Sequence, residues 1–328
     1  MNEYNQRPQS SRSPGSSKTN AAGDRKTDRA PASNGRVAKD KRYPATPVPK
    51  ESAEDKEVWA EESALKGDDE YLAGKHPILE AMKAGRSINK IFVSAQAQRH
   101  LVQPIMDEAK IRGIVVQQVD KSKLDRLVPD MQHQGVVAQA AAVAYVEVED
   151  LLARAAERGE APLIVLLDEV EDPHNLGSVL RTADCTGVHG VIIPKRRSAS
   201  LTAVVAKTSA GAVEYVPVAR VANLVQTMEK LKEAGLWIAG ADAGAKEGFY
   251  DTNLTGPMAI VIGNEGQGLS RLVKERCDFI LSLPMSGQIN SLNASVAAGV
   301  ILYEVVRQRQ QALKKSGVKQ ATPAPDHA

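Results

Sequence analysis

Apolar and polar residues recur in two rhythms along this chain, and the changes of rhythm mark where elements begin and end. From Tyr71 onward, HPILEAMKAG and HLVQPIMDEAKIRG repeat apolar positions every three or four residues, the spacing of a helix with one buried face. INKIFVSA, IVVQQV and GVVAQAAAVAY are short runs rich in β-branched or small apolar residues with polar or glycine flanks, and they read as strands. KSKLDRLV predicts a short helix between the last two. Together they predict a small α/β domain over residues 67–147.

A charged helix-like stretch, VEDLLARAAERGEA, is expected to link it, over residues 148–160, to a second alternating region at 161–315. There LIVLLDEV, VHGVIIP, EYVPVA, LWIAGADA, PMAIVIG and FILSLP predict strands. NLGSVLRTADCTG, TAVVAKTSAGA, VANLVQTMEKLKEAG, LSRLVKERC and the long SLNASVAAGVILYEVVRQRQQALKK predict helices, with Gly187 and Gly235 as stops. Strand and helix alternation of this kind implies a parallel sheet covered on both faces.

Composition changes the picture at the ends. Residues 1–66 hold almost no branched apolar side chains, so ordering them is not offset by burial, and a disordered extension is expected. The last residues, 316–328, with Pro323 and Pro325, are expected to fray. The net charge of the 328 residues is only +2, but residues 1–50 carry eleven Lys or Arg against four Asp or Glu. From Glu51 to Glu70 the balance reverses to nine acids against two bases. The basic arm is either a solvated tail or a contact for phosphate backbones. Cys185 and Cys277 lie far apart and the six histidines lack metal-ligand spacing, which suggests a reduced compartment and no structural metal. With no apolar run of membrane-spanning length and no apolar signal region, a cytoplasmic protein is expected.

Candidate chemistry gathers where strands end. IVIGNEGQGLS leaves a strand and opens a helix, and its backbone N–H groups can meet a ligand at the carboxyl edge of a sheet. The spacing of Gly263, Gly266 and Gly268 matches neither familiar phosphate loop, and Glu265 would repel a phosphate while tolerating a neutral or cationic ligand. A plain glycine turn with a solvated acid is the alternative on this loop alone. In DPHNLGSVLRTADCTG, Asn175 stands where a helix begins and Arg181 six residues on; in LPMSGQINSLNASVAAGV, Ser291 and Asn293 stand at the entrance of another. Each has a bland reading as a cap or surface charge. All three stretches follow strands, however, so a parallel sheet would bring them to one edge.

DPHNLGSVLRTAD, IGNEGQGLS and LPMSGQINSLNASVA resemble, in order, the three signature motifs of the SpoU or TrmH class of RNA ribose 2′-O-methyltransferases in the SPOUT superfamily, over roughly residues 160–310. The preceding domain, with YLAGKHPILEAM near its start and HQGVVA near its end, is similar to the substrate-binding domain of members that methylate a guanosine in 23S ribosomal RNA. The resemblance implies a deep trefoil knot in the parallel-sheet domain, which general chain topology alone would argue against. It also implies S-adenosylmethionine as cofactor, a methyl transfer that requires no metal, and a homodimer with active sites at the subunit interface. Gly263, Leu283, Leu292 and the backbone around Ala241 match the donor-binding positions, and Asn175, Arg181, Glu265, Ser291 and Asn293 the polar active-site positions, with Arg181 directed at the hydroxyl and its neighbouring phosphate. Ala294 stands where the motif commonly has Val, and the extension of about 66 residues is longer than the common architecture. Lys75, His76 and the stretch around Gln132 to Gln134 are candidate RNA contacts, although a solvated polar residue accounts for each more simply. The competing expectations are the same chemistry on tRNA or on a resistance site in ribosomal RNA, and a non-catalytic assembly factor; the presence of Asn175, Arg181 and Asn293 favours catalysis.

Overall fold

In the computed structural model, residues 69–129, 131–242, 249–288 and 291–315 are described. The expected disordered extension over 1–66 and the expected frayed end over 316–328 lie outside them.

The first sheet joins β1 (Asp69–Ala73), β2 (Ile88–Ser94), β3 (Val115–Val119) and β4 (Val136–Ala141) in the order β1-β4-β2-β3. Strand β4 runs antiparallel to both neighbours, whereas β2 and β3 are parallel. Helices α1 (Lys75–Lys83), α2 (Arg99–Arg112) and α3 (Lys121–Leu127) cover it. Leu72, Ile78, Met82, Ile91 and Ile105 are fully buried, each worth about 1.5–3 kcal/mol of transfer free energy. Strand β1 has no counterpart in the sequence reading. Its DEYLA is too short and too acidic to show a period, and only pairing with β4, from Asp69↔Ala141 to Ala73↔Val137, makes it a strand.

The stretch expected to act as a linker forms α4 (Val148–Glu157). Asp150 accepts from the Glu147 N–H at 3.0 Å, fixing the first turn. Leu151 and Ala155 are fully buried, and Leu151 lies so close over Gly190 that any side chain at 190 would collide with it. The helix is therefore a covering layer of the second sheet.

That sheet is parallel throughout, in the order β10-β8-β9-β5-β6-β7. Its strands are β5 (Leu163–Leu167), β6 (Gly190–Pro194), β7 (Val218–Val221), β8 (Trp237–Ala241), β9 (Met258–Ile262) and β10 (Phe279–Leu281), and its further helices are α5 (Pro173–Cys185), α6 (Ala203–Thr208), α7 (Leu224–Glu233), α8 (Arg271–Arg276) and α9 (Ala294–Lys315). All five residues of β5 and of β9 are buried, as expected of strands covered on two sides. Leu163, Val165 and Leu167 join Leu176, Leu180, Ile301 and Leu302 of α5 and α9. Ile164 and Leu166 join Leu151, Met228 and Leu231 of α4 and α7 on the other face. The chain runs outward through β5, β6 and β7, then returns to build β8, β9 and β10 on the far side of β5. Such a switch of direction leaves a crevice at the carboxyl ends of the strands.

The strand expected from EYVPVA begins later than its pattern suggests. Gly211, at φ 93, starts a 3-10 turn over Ala212–Glu214, and only Val218–Val221 pair in the sheet. Glu214 and Tyr215 turn instead toward the first sheet. Arg86 binds Glu214 and Glu70, each at 2.8 Å, and donates to the Ala141 carbonyl, while the Tyr215 hydroxyl donates to Glu80 at 2.7 Å. Burial beside acids pushes the Tyr215 phenol up to about 12.

Candidate functional site

The glycine loop after β9 folds back on itself. Asn264 and Gly268 exchange backbone hydrogen bonds at 3.1 and 2.8 Å, and the Asn264 carboxamide oxygen accepts from the Gly266 N–H at 2.8 Å. Two glycines are required by this shape. A Cβ on Gly263 would run into the Gly268 carbonyl and stand 2.6 Å from the Leu269 nitrogen, and Gly268 sits at φ 69. The loop is also tied to the one after β5, because Asn264 Nδ2 donates to the Glu169 carbonyl at 3.1 Å and Asp168 accepts from the Ser270 N–H at 2.7 Å.

Asn175 is not the cap of its helix. Asp172 takes that place, accepting from the His174 N–H at 2.8 Å, and leaves the buried Asn175 amide free to donate to Glu265. Asn293 Nδ2 donates to Asn175 Oδ1 at 2.9 Å and to Glu265 Oε1 at 2.8 Å. Its other end does cap α9, accepting from the Ser295 N–H at 3.0 Å. Three residues from three separate strand ends thus form one network around a single carboxylate oxygen. Both donors to that oxygen are neutral amides, and among the described residues Glu265 has no cationic partner.

Beside this network lies a cavity of about 260 Å³. Ala241, Gly263, Leu283 and Leu292 line it, Ser291 and Glu265 bring polar atoms to it, and Met285 adds an apolar wall. No Lys or Arg stands among its described lining residues; Asp242 at its edge is paired with Lys274 at 2.9 Å. Arg181 is exposed on α5, outside the cavity wall and without a side-chain partner among the described residues. Sequence reasoning missed Asn264, Asp242 and Met285. Only Asn264 carried a signal, the Asn-x-Gly spacing of a side chain that closes its own turn. In the first domain, the Lys75 N–H donates to Gln134 Oε1 at 3.2 Å, and His133 is buried against Asp125 at 2.9 Å, so the two stretches singled out there are neighbours.

Residues 162–303 match the SpoU rRNA Methylase family, and residues 71–146 match the RNA 2′-O ribose methyltransferase substrate binding family. A Bacillus subtilis protein named for the TrmH family of tRNA/rRNA methyltransferases, YacO, is 50% identical over 240 residues, 73% of this chain and 96% of its own length. The chain belongs to the SpoU methylase family. A second SpoU/TrmH relative, from Staphylococcus haemolyticus, is 48% identical over 74% of this chain and 98% of its own. Among solved SpoU structures, AviRb from Streptomyces viridochromogenes in complex with AdoMet is 26% identical with a TM-score of 0.62, covering 74% of this chain and 92% of that one. An AdoMet-bound rRNA methyltransferase from Sinorhizobium meliloti, 22% identical with a TM-score of 0.60 over 76% and 90% of the two chains, shares the fold. Among the described residues no helix is long and apolar enough to cross a membrane.

Proposed function

We propose that the chain is an S-adenosylmethionine-dependent ribose 2′-O-methyltransferase that acts on a guanosine of 23S ribosomal RNA, in the cytoplasm, as a homodimer with a knotted C-terminal domain over residues 161–315. The observation that carries the reading is the meeting of Asn175, Glu265 and Asn293 beside a cavity with apolar walls and a carboxylate that has no cationic partner among the described residues. Such a lining disfavours phosphate and suits a cationic adenosyl compound.

When bound, S-adenosylmethionine supplies a methyl group on a positively charged sulfur. Gly263, Leu283, Leu292 and the backbone at Ala241 would hold its adenosyl part, and Ser291 offers a hydroxyl beside them. Glu265 and Asn293 fix the Asn175 amide. Arg181 clamps the phosphate beside the target ribose and stabilises the hydroxyl oxygen as it gains charge. A guanidinium stays protonated, so the proton leaves through that phosphate or water and not onto Arg181. The exposure of Arg181 outside the cavity wall agrees with a site completed by RNA at a subunit boundary. Val296, Val300 and Tyr303 form an exposed apolar row on α9, which favours a second copy as its cover. The substrate-binding match over 71–146 favours RNA, with Lys75, His76, Gln132 and Gln134 as contacts.

The full-length protein, given a methyl-labelled donor and total RNA, is expected to place label on the 2′-oxygen of one guanosine in 23S RNA. Label in tRNA would move the substrate while keeping the chemistry. No transfer to any RNA would overturn the reading. An Arg181→Lys variant with full turnover and a shifted pH optimum would replace the clamp by a true base.

A further inference from the structure

The carboxyl end of β6 carries Lys195, Arg196 and Arg197, a basic turn that the catalytic network does not use. Its tip is charged and its ends are pinned. The Lys195 N–H donates to the Val221 carbonyl at 2.8 Å, Arg220 donates to the Lys195 carbonyl at 3.2 Å, and the Ala199 N–H donates to the Val170 carbonyl at 2.9 Å. Within the turn, Ser198 Oγ donates to the Pro194 carbonyl, and Arg197, at φ 53, forms an ion pair with Glu169 at 2.7 Å. Glu169 is the residue whose carbonyl receives the Asn264 amide from the glycine loop, so the turn is coupled mechanically to the rim of the cavity.

Charge is unevenly spent over these residues. Glu169 and Glu171 both act on Arg197, while Lys195 and Arg196 are exposed and have no side-chain partner among the described residues. Isolated surface cations are ordinary. Two adjacent ones on a turn with so many backbone and side-chain tethers lose less conformational freedom when they grip a ligand. Their place decides which ligand. Strand β6 neighbours β5, whose carboxyl end leads to Asn175, and β5 neighbours β9, which leads to Gly263 and Glu265. At about 4.8 Å per strand, the turn stands roughly 10 Å along the same edge from the glycine loop.

We propose that Lys195 and Arg196 form a phosphate-gripping ledge that positions the RNA backbone beside the target ribose. The inference rests on the RNA methyltransferase reading above and adds positioning residues to it. They hold the strand and do not touch the reacting atoms.

The test uses full-length protein carrying Lys195→Ala and Arg196→Ala together, with ribosomal RNA as probe. Affinity is expected to fall at least about tenfold at moderate salt, and the slope of log affinity against log salt to flatten by roughly 1.4–1.8, the share of two phosphate contacts. KM for RNA should rise while kcat at saturating RNA and affinity for S-adenosylmethionine stay as in the wild type. A Lys314→Ala, Lys315→Ala control removes the same charge from the far end of α9 and should leave the slope unchanged. If the ledge variant keeps the wild-type affinity and slope, or if the control flattens the slope equally, the ledge is wrong although the enzyme reading stands. If wild-type protein binds and methylates no RNA, both fall.

Discussion

Arg86 joins the two sheets, and its removal has a calculable cost. Its side chain is 7% exposed and lies between Glu70 of the first sheet, 21% exposed, and Glu214 of the turn that leads into the second, 5% exposed. Arg86→Met keeps the apolar stem but leaves the Glu214 carboxylate buried without a cation. Breaking one partner of a buried ion pair costs about 3–5 kcal/mol, which for a protein of this size corresponds to a fall in Tm of roughly 6–20 °C. The deficit depends on pH. Burial pushes the Glu214 carboxyl above its ordinary 4.5, opposed by Arg86, so without Arg86 it rises further. A carboxyl raised in the folded state contributes stability below its unfolded value that is lost as pH climbs through the folded one. The variant should therefore lie closest to wild type in acid and furthest from it at neutral pH. Thermal unfolding at several pH values, with the Arg86→Met, Glu214→Leu double variant, provides the assay. The double variant should recover most of the loss, because replacing both partners by apolar groups is nearly neutral. A single-variant loss below about 1 kcal/mol, or no recovery in the double variant, would refute a buried ion cluster between the sheets.

Asn293→Ala is expected to lower kcat on the order of 100-fold and stability by about 1 kcal/mol through the lost cap; unchanged turnover with the stability loss would reduce Asn293 to a cap. Burial holds His189 below its ordinary 6.5 despite Glu160, so the stability it gives should be lost as pH falls below that value; Tm of a His189→Gln variant should respond less to acid than wild type. Arg309 donates to the carbonyls of Ala161, Pro162 and Gly256 at 2.8–3.0 Å, pinning α9 to the amino edge of the sheet. Its replacement by Ala should cost about 2–4 kcal/mol in denaturant unfolding; a loss within 0.5 kcal/mol, about that of an ordinary surface change, would contradict the latch.

Much of the second domain was legible because its strands are buried on both faces and its helices have one apolar face, so each rhythm survives in the sequence. Strand β1 and the late start of β7 were not, since both depend on partners far along the chain: β4 for the first, Arg86 for the turn at Glu214. The helix-like stretch over residues 148–160 does form a helix, α4, but its packing role was not visible in the pattern. Its polar face dominates the composition, while Leu151 and Ala155 carry its packing. At the site, the gathering of three stretches at one sheet edge followed from their each ending a strand. That Asn293 both caps a helix and binds Asn175 was hidden, because the sequence offers a cap and a contact to another stretch as alternatives, and one carboxamide makes both sets of hydrogen bonds. The position of Arg181 outside the cavity could not be read from spacing, which places it on a helix without saying what stands opposite.

Methyl transfer by this chain requires the cavity walled by Gly263, Leu283 and Leu292 to accept the methyl donor. Calorimetric titration of the full-length protein with S-adenosylmethionine, in the presence and absence of RNA, should give saturable binding. Gly263→Ala should weaken it by more than about tenfold, a loss above about 1.4 kcal/mol, while Gly256→Ala, where an added methyl meets nothing within 4 Å, should bind as wild type. Absence of binding by the wild type under both conditions, or undiminished binding by Gly263→Ala, would contradict it.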